Sequence, residues 1–151
     1  MQITRLSAAE CEDLYRSALP RDFPAAELKP FAEIQRLLES GVYEPLLLTD
    51  DAGARLAYAW QVVLPGQRTA LLDYFAVAPA ARGGGIGGEA LGLLRERYAG
   101  RRFFLEIEAL GEPDTPPEQE TLRARRKAFY LRNGMRAPGV RACIFGQRME
   151  L

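Results

Sequence analysis

The chain has 151 residues, 48% of them hydrophobic, with 20 Lys plus Arg balanced by 20 Asp plus Glu and no histidine. Without histidine a Ser-His-Asp triad, a Cys-His pair and an H-E-x-x-H zinc site are all excluded, and proton transfers fall to carboxylates, Tyr, Lys, Cys or water. Zero net charge argues against a general nucleic-acid or membrane-surface binder, and the length suits one enzyme-sized core, a single domain over residues 1–151.

In chain order, residues 2–6 read as an edge strand. Ser7 with Glu10 three residues on is a capping box, opening a helix that runs to Leu19 and stops at Pro20. A Pro- and Ala-rich stretch leads to a second helix over residues 29–40, closed by Gly41. Residues 44–49, 55–63 and 69–77 then alternate as strands, punctuated by Asp50-Asp-Ala-Gly53 and Pro65-Gly66, which makes an antiparallel meander. A third helix follows, in which Ala90, Leu91, Leu94 and Tyr98 keep helical spacing up to Gly100, and a strand over residues 102–110 completes a βαβ unit. Thr115-Pro-Pro-Glu118 reads as a second capping box, opening a late helix that Gly134 closes. Residues 140–145 supply a final strand, and residues 111–119 form a long Pro- and acid-rich loop expected beside the active site. The fold class is α/β (α+β): a mixed, mostly antiparallel sheet flanked by helices, with one βαβ unit.

Between the strand ending at Val77 and the helix containing Leu91 lies Arg82-Gly-Gly-Gly-Ile-Gly-Gly88. Glycine weakens a helix by roughly 0.5–1 kcal/mol relative to alanine, so this cluster costs local stability. Bare N–H groups at a helix N-terminus form a cradle for a phosphate or pyrophosphate. A P-loop is ruled out, because Glu89 stands where Lys is needed. The dinucleotide pattern G-x-G-x-x-G matches at Gly83, Gly85 and Gly88, with Glu108 at the distance of a ribose carboxylate, but Ala78-Pro-Ala-Ala-Arg82 separates the strand from its first glycine.

The remaining pattern, Arg82-x-x-Gly85-x-Gly87 after a strand ending Val77-x-Pro79, resembles the acetyl-CoA loop of the GNAT superfamily of N-acyltransferases. Arg126-Lys-Ala-Phe-Tyr-Leu-Arg-Asn-Gly-Met135 is similar to that family's late helix, with Met135 in place of the usual phenylalanine. The two blocks cover roughly the second half of the chain, in the family's order. The resemblance implies acetyl transfer from acetyl-CoA, as a cosubstrate and without metal, to a primary amine. The βαβ unit would then carry the acyl-CoA loop, with Phe75, Ala76 and Val77 pairing with the pantetheine arm and Arg82, Gly83, Gly84, Gly85, Ile86, Gly87 and Gly88 around the pyrophosphate. Tyr130 would contact the cofactor and act as acid for the departing thiolate.

For the general base three carboxylates compete. Glu106 and Glu108 share one face of their strand, opposite Phe103, Leu105, Ile107 and Ala109, and Asp73 lies on the strand before the loop; ion pairing with the arginines is the competing reading for each. The run Arg123-Ala-Arg-Arg-Lys127 reads as a solvated helix face. Trp60, Tyr58 and Phe23-Pro24 fit either an acceptor pocket or the core. The acceptor, a small-molecule or peptide amine, is not specified by any residue, and a homodimer is compatible with the sequence. Cys11 and Cys143 are too few for a disulfide framework, no segment reaches the ~20 apolar residues of a membrane span, and residues 1–7 lack a signal-peptide core, so the cytoplasm is the expected compartment. A non-catalytic acyl-CoA-binding module and a dinucleotide-binding protein are the rival readings.

Overall fold

The computed structural model describes residues 1–113, 115–144 and 147–151. The chain divides into two compact units, Met1–Phe103 and Phe104–Leu151.

The first unit is built on an antiparallel meander. β1 (Gln2–Arg5), β2 (Tyr43–Thr49), β3 (Arg55–Val62) and β4 (Thr69–Val77) are neighbours in sequence order, with β5 (Arg102–Leu105) next after β4. Because β3 is central, it is buried from Ala57 to Gln61 on both faces. On one face Trp60 packs edge-on against Tyr43 and Tyr74, and these cluster with Tyr58, with Cys11 and Leu14 of α1 (Ala8–Ser17) and with Ile34 of α3 (Phe31–Glu39). Rings at 5.9–6.1 Å and steep interplanar angles are the arrangement that aromatic quadrupoles favour. Trp60 and Tyr58 are therefore core residues, and Phe23 packs on Tyr74 at 5.0 Å. The opposite face, with Leu46, Leu48, Ala57 and Ala59, is buried on the side that receives Ala90, Leu91 and Leu94 of α4 (Ile86–Arg97).

Ser7 and Glu10 form the expected capping box, Ser7 Oγ accepting from the Glu10 N–H and the Glu10 carboxylate accepting from the Ser7 N–H. The helix ends at Ser17, before Leu19. Pro20 does not terminate it but lies in the first turn of a separate short helix, α2 (Leu19–Asp22), where a missing N–H costs nothing. The second predicted helix begins at Phe31, with Pro30 as its N-cap. β4 has the predicted bounds but carries a bulge: Trp60 pairs with Tyr74 and Gln61 with Leu72, which leaves Asp73 as the extra residue.

In the second unit β6 (Ile107–Glu108), β8 (Gln147–Glu150) and β7 (Arg141–Ile144) form a three-stranded sheet in that order. The single strand predicted over residues 102–110 is broken at Glu106 into β5 and β6. The predicted final strand is β7, its end at Phe145 lying outside the described residues, and β8 pairs with it antiparallel. α5 (Pro117–Arg132) starts later than predicted: Pro116 is the N-cap and no side chain caps it. Thr115 does not cap it, because Pro117 disfavours helical geometry at Pro116, which stays extended and takes the N-cap place itself. Asp114, within the predicted long loop, lies outside the described residues.

Candidate active site

The glycine run is built as its residue types require. After β4 the chain makes one 3-10 turn, Pro79–Ala81, and Arg82 is extended. Gly83 and Gly85 then take φ of 87° and 80°, the left-handed region in which a side chain is strained, and Gly85 is the N-cap of α4. Gly84 is different. Its φ is not left-handed, and a Cβ there would meet no atom within 4 Å, so neither conformation nor packing inside the protein accounts for the missing side chain. Gly87 and Gly88 lie in the first turn of α4, so no special backbone geometry is required of Gly87 either.

Among the described residues no backbone carbonyl accepts from the N–H groups of Gly83, Gly84, Gly85, Ile86 and Gly87. Gly88 and Glu89 are the first to donate, both to the Gly85 carbonyl. These five consecutive N–H groups stand at and just before the N-terminus of the 12-residue α4, the end whose dipole favours an anion. The far end of α4 is anchored, since Arg97 and Tyr98 both donate to the Glu44 carboxylate of β2. Burial pushes that carboxyl up, but these bonds and the Arg97 charge outweigh it and hold it below its ordinary value.

Arg82 is exposed but held in place. Its Nε donates to the Val77 carbonyl at 3.0 Å and its Nη2 to Asp22 Oδ1 at 3.1 Å. Phe75, Ala76 and Val77 pair with Ala59, Tyr58 and Ala57 of β3.

The carboxylates proposed as base have partners. Asp73 receives the Lys29 ammonium at 2.6 Å on one oxygen and the hydroxyl of buried Tyr43 on the other. Within the second unit Glu108 is ion-paired with Arg126 and lies 3.7 Å from Arg123 Nε. Glu106 is half-buried at the strand break. The run Arg123–Lys127 is not a plain solvated face: Arg123 donates to the Ala109 carbonyl and Thr115 Oγ1, and Lys127 reaches both oxygens of buried Glu150 at 2.7 and 2.8 Å. These residues bind α5 to its own sheet and loop. Tyr130 lies in the last turn of α5, partly buried, its ring edge-on to Phe129 at 5.1 Å. Burial pushes its phenol up to about 12, against a smaller opposing effect of the Arg126 charge.

The sequence reading did not single out Asp22, the hub of the Arg82 contacts, or Lys29. Asp22 closes the short α2 and Lys29 lies just before α3, at either end of a Pro- and Ala-rich stretch where a charged residue carries no periodic signal.

No family model matches the chain. An uncharacterised protein from Dictyostelium discoideum is 32% identical over 84 residues, 56% of this chain, and the match spans only 19% of that protein. Solved structures match over nearly the whole chain. An assigned GNAT-family acetyltransferase from Bacteroides thetaiotaomicron superposes with a TM-score of 0.71 at 21% identity, over 89% of this chain and 71% of that one. A chimeric spermidine N-acetyltransferase derived from Vibrio cholerae gives 0.71 at 12% identity, over 99% and 93%. An aminoglycoside 6'-N-acetyltransferase in complex with coenzyme A gives 0.63 at 16% identity, over 99% and 94%. The chain has the GNAT superfamily fold: a mostly antiparallel five-stranded sheet flanked by helices, with a glycine loop between β4 and α4.

Proposed function

We propose that the chain is an acetyl-CoA-dependent N-acetyltransferase acting on a primary amine. The observation that carries this reading is the row of N–H groups from Gly83 to Gly87 that meet no carbonyl among the described residues, at a place where a side chain on Gly84 would touch nothing in them. The donor set suits a pyrophosphate, and the fold is one whose solved members include an acetyltransferase with coenzyme A bound. Gly83 to Gly88 would receive the pyrophosphate, the Phe75–Val77 end of β4 the pantetheine amides, and Tyr130 would return a proton to the thiolate.

Acetyl-CoA supplies the thioester carbonyl that the amine attacks. The protein's part is to orient donor and acceptor and to manage two protons, one leaving the amine and one reaching sulfur. A phenol held protonated by burial suits the second task. For the first, the base in this proposal is bound water or Glu106, half-buried at the strand break.

Calorimetric titration with CoA and with NAD tests the loop, and a panel of amines with acetyl-CoA, followed by thiol release, tests the reaction. CoA is expected to stabilise the fold by about 2.7 kcal/mol at a hundredfold excess over its dissociation constant, and NAD far less. Stabilisation by NAD and none by CoA would replace this reading with a dinucleotide-binding protein. Tight CoA binding with no turnover on any amine would make it an acyl-CoA-binding module.

A further inference from the structure

Asp22 is the most heavily used carboxylate in the first unit. It closes α2, its side chain is only 2% exposed, and it accepts from three residues on different segments. Arg21 donates through Nε and Nη2 at 3.2 and 2.8 Å, Tyr58 of β3 through its hydroxyl at 3.0 Å, and Arg82 through Nη2 at 3.1 Å. Burial alone would push its carboxyl up, but the bonds from Arg21 and Tyr58 and the charges of Arg21 and Arg82 hold it below its ordinary value. The core therefore keeps a fixed negative charge at this point.

Arg82 is the other half of the arrangement, and its side chain is 56% exposed. An arginine so exposed would ordinarily be mobile, yet this one is held at both ends, Nε on the last carbonyl of β4 and Nη2 on Asp22. The planar guanidinium makes this possible, since its N–H groups point in fixed directions to two acceptors at once, which an ammonium cannot reproduce. Arg82 directly precedes Gly83, the first glycine of the loop and one with positive φ.

We infer that Asp22 is a positioning residue for acyl-CoA binding: acting through Arg82, it fixes where the glycine loop leaves β4 and so holds the Gly83–Gly87 N–H groups in place for the pyrophosphate. The inference rests on the acyl-CoA reading above. It makes α2, 60 residues earlier in the chain, part of the cofactor site without touching the cofactor.

The test compares two ligands in direct binding measurements. CoA carries the pyrophosphate, whereas acetyl-pantetheine carries only the arm and the thioester. Asp22→Asn should weaken CoA by at least about tenfold, the loss of one charged hydrogen bond, and acetyl-pantetheine by less than about twofold. Arg82→Lys should show the same split, and the double variant should be no worse than the weaker single one, because both break one link. Arg21→Gln removes a partner of the same carboxylate that does not touch the loop, and should leave CoA affinity within about twofold. If Asp22→Asn does not fold, Arg82→Lys, at an exposed side chain, decides the matter alone. Equal losses for both ligands, or CoA affinity unchanged in the variants, would overturn the positioning role and leave the acyl-CoA reading standing. Wild-type protein that does not bind CoA would overturn both.

Discussion

The Lys29 ammonium lies 2.6 Å from Oδ1 of Asp73, at the single residue by which β4 exceeds its partner strand. The bulge places Asp73 and Tyr74, adjacent in sequence, against the same neighbour: Lys29 pairs with the carboxylate, its Nζ stands 5.3 Å from the Tyr74 ring centre, and its backbone N–H donates to the Tyr74 hydroxyl. That arrangement fastens the segment before α3 onto the sheet.

Asp73→Ala is therefore expected to act on stability. It strands the Lys29 charge and the hydroxyl of buried Tyr43, at a cost of about 2–4 kcal/mol in chemical denaturation. Turnover per folded molecule should stay within a few-fold of wild type. A fall of a hundredfold in a protein that remains folded would return Asp73 to the role of base.

Two neighbouring glycines should separate by opposite phenotypes. Gly84→Val places its side chain in open space, so the melting transition should barely move while CoA affinity falls at least tenfold. Gly85→Ala forces a side chain into the left-handed region and should cost about 1–2 kcal/mol of stability. Thermal denaturation and calorimetry on both proteins distinguish them; normal CoA binding by Gly84→Val would remove the loop from the site.

Tyr130→Phe keeps the ring against Phe129 and removes only the hydroxyl. CoA affinity and stability should change little, while kcat on a competent amine falls at least about tenfold, since general acid catalysis contributes roughly 10²–10⁴-fold. An unchanged kcat would make Tyr130 a packing residue.

The pH profile of stability should be flat through neutrality, because no histidine titrates there. Cys11 rises from 9.0 to about 12 and Tyr130 from 10.0 to about 12 on folding, each chiefly through burial. The folded state therefore holds protons that the unfolded chain releases, so this stability is fully present below about pH 9 and declines as pH rises from 9 to 12. Asp22 and Glu44 are shifted the other way, and their contribution is lost as pH falls below the ordinary carboxylate range. Urea midpoints from pH 3 to 11 measure both limbs; a steep change between pH 6 and 8 would contradict this assignment.

What the sequence made legible follows the reach of each signal. β4 was readable end to end because its apolar run is bounded by turn residues, and Ser7 was readable as a cap because its partner Glu10 is three residues away. The bulge was not, since the extra residue appears only when β3 is laid beside β4. The break at Glu106 was hidden because inside-outside alternation continues through it, buried at Leu105, Ile107 and Ala109. β8, with the polar sequence Gln147-Arg-Met-Glu150, gave no strand signal of its own and exists through its ladders to β6 and β7. In the site, the glycines announced themselves by cost. Asp22 could not, because its meaning lies in Tyr58 and Arg82, 36 and 60 residues away.

The bulge also sets how the chain can change length. Losing Asp73 would leave Leu72 opposite Gln61 and Tyr74 opposite Trp60, so no side chain on either side would change faces. Losing a regularly paired residue such as Ala59 would instead shift the register of its neighbours in β3 and turn them to the opposite face. Loss of one residue is therefore structurally silent at this place in β4, and what it spends there is the carboxylate that anchors Lys29.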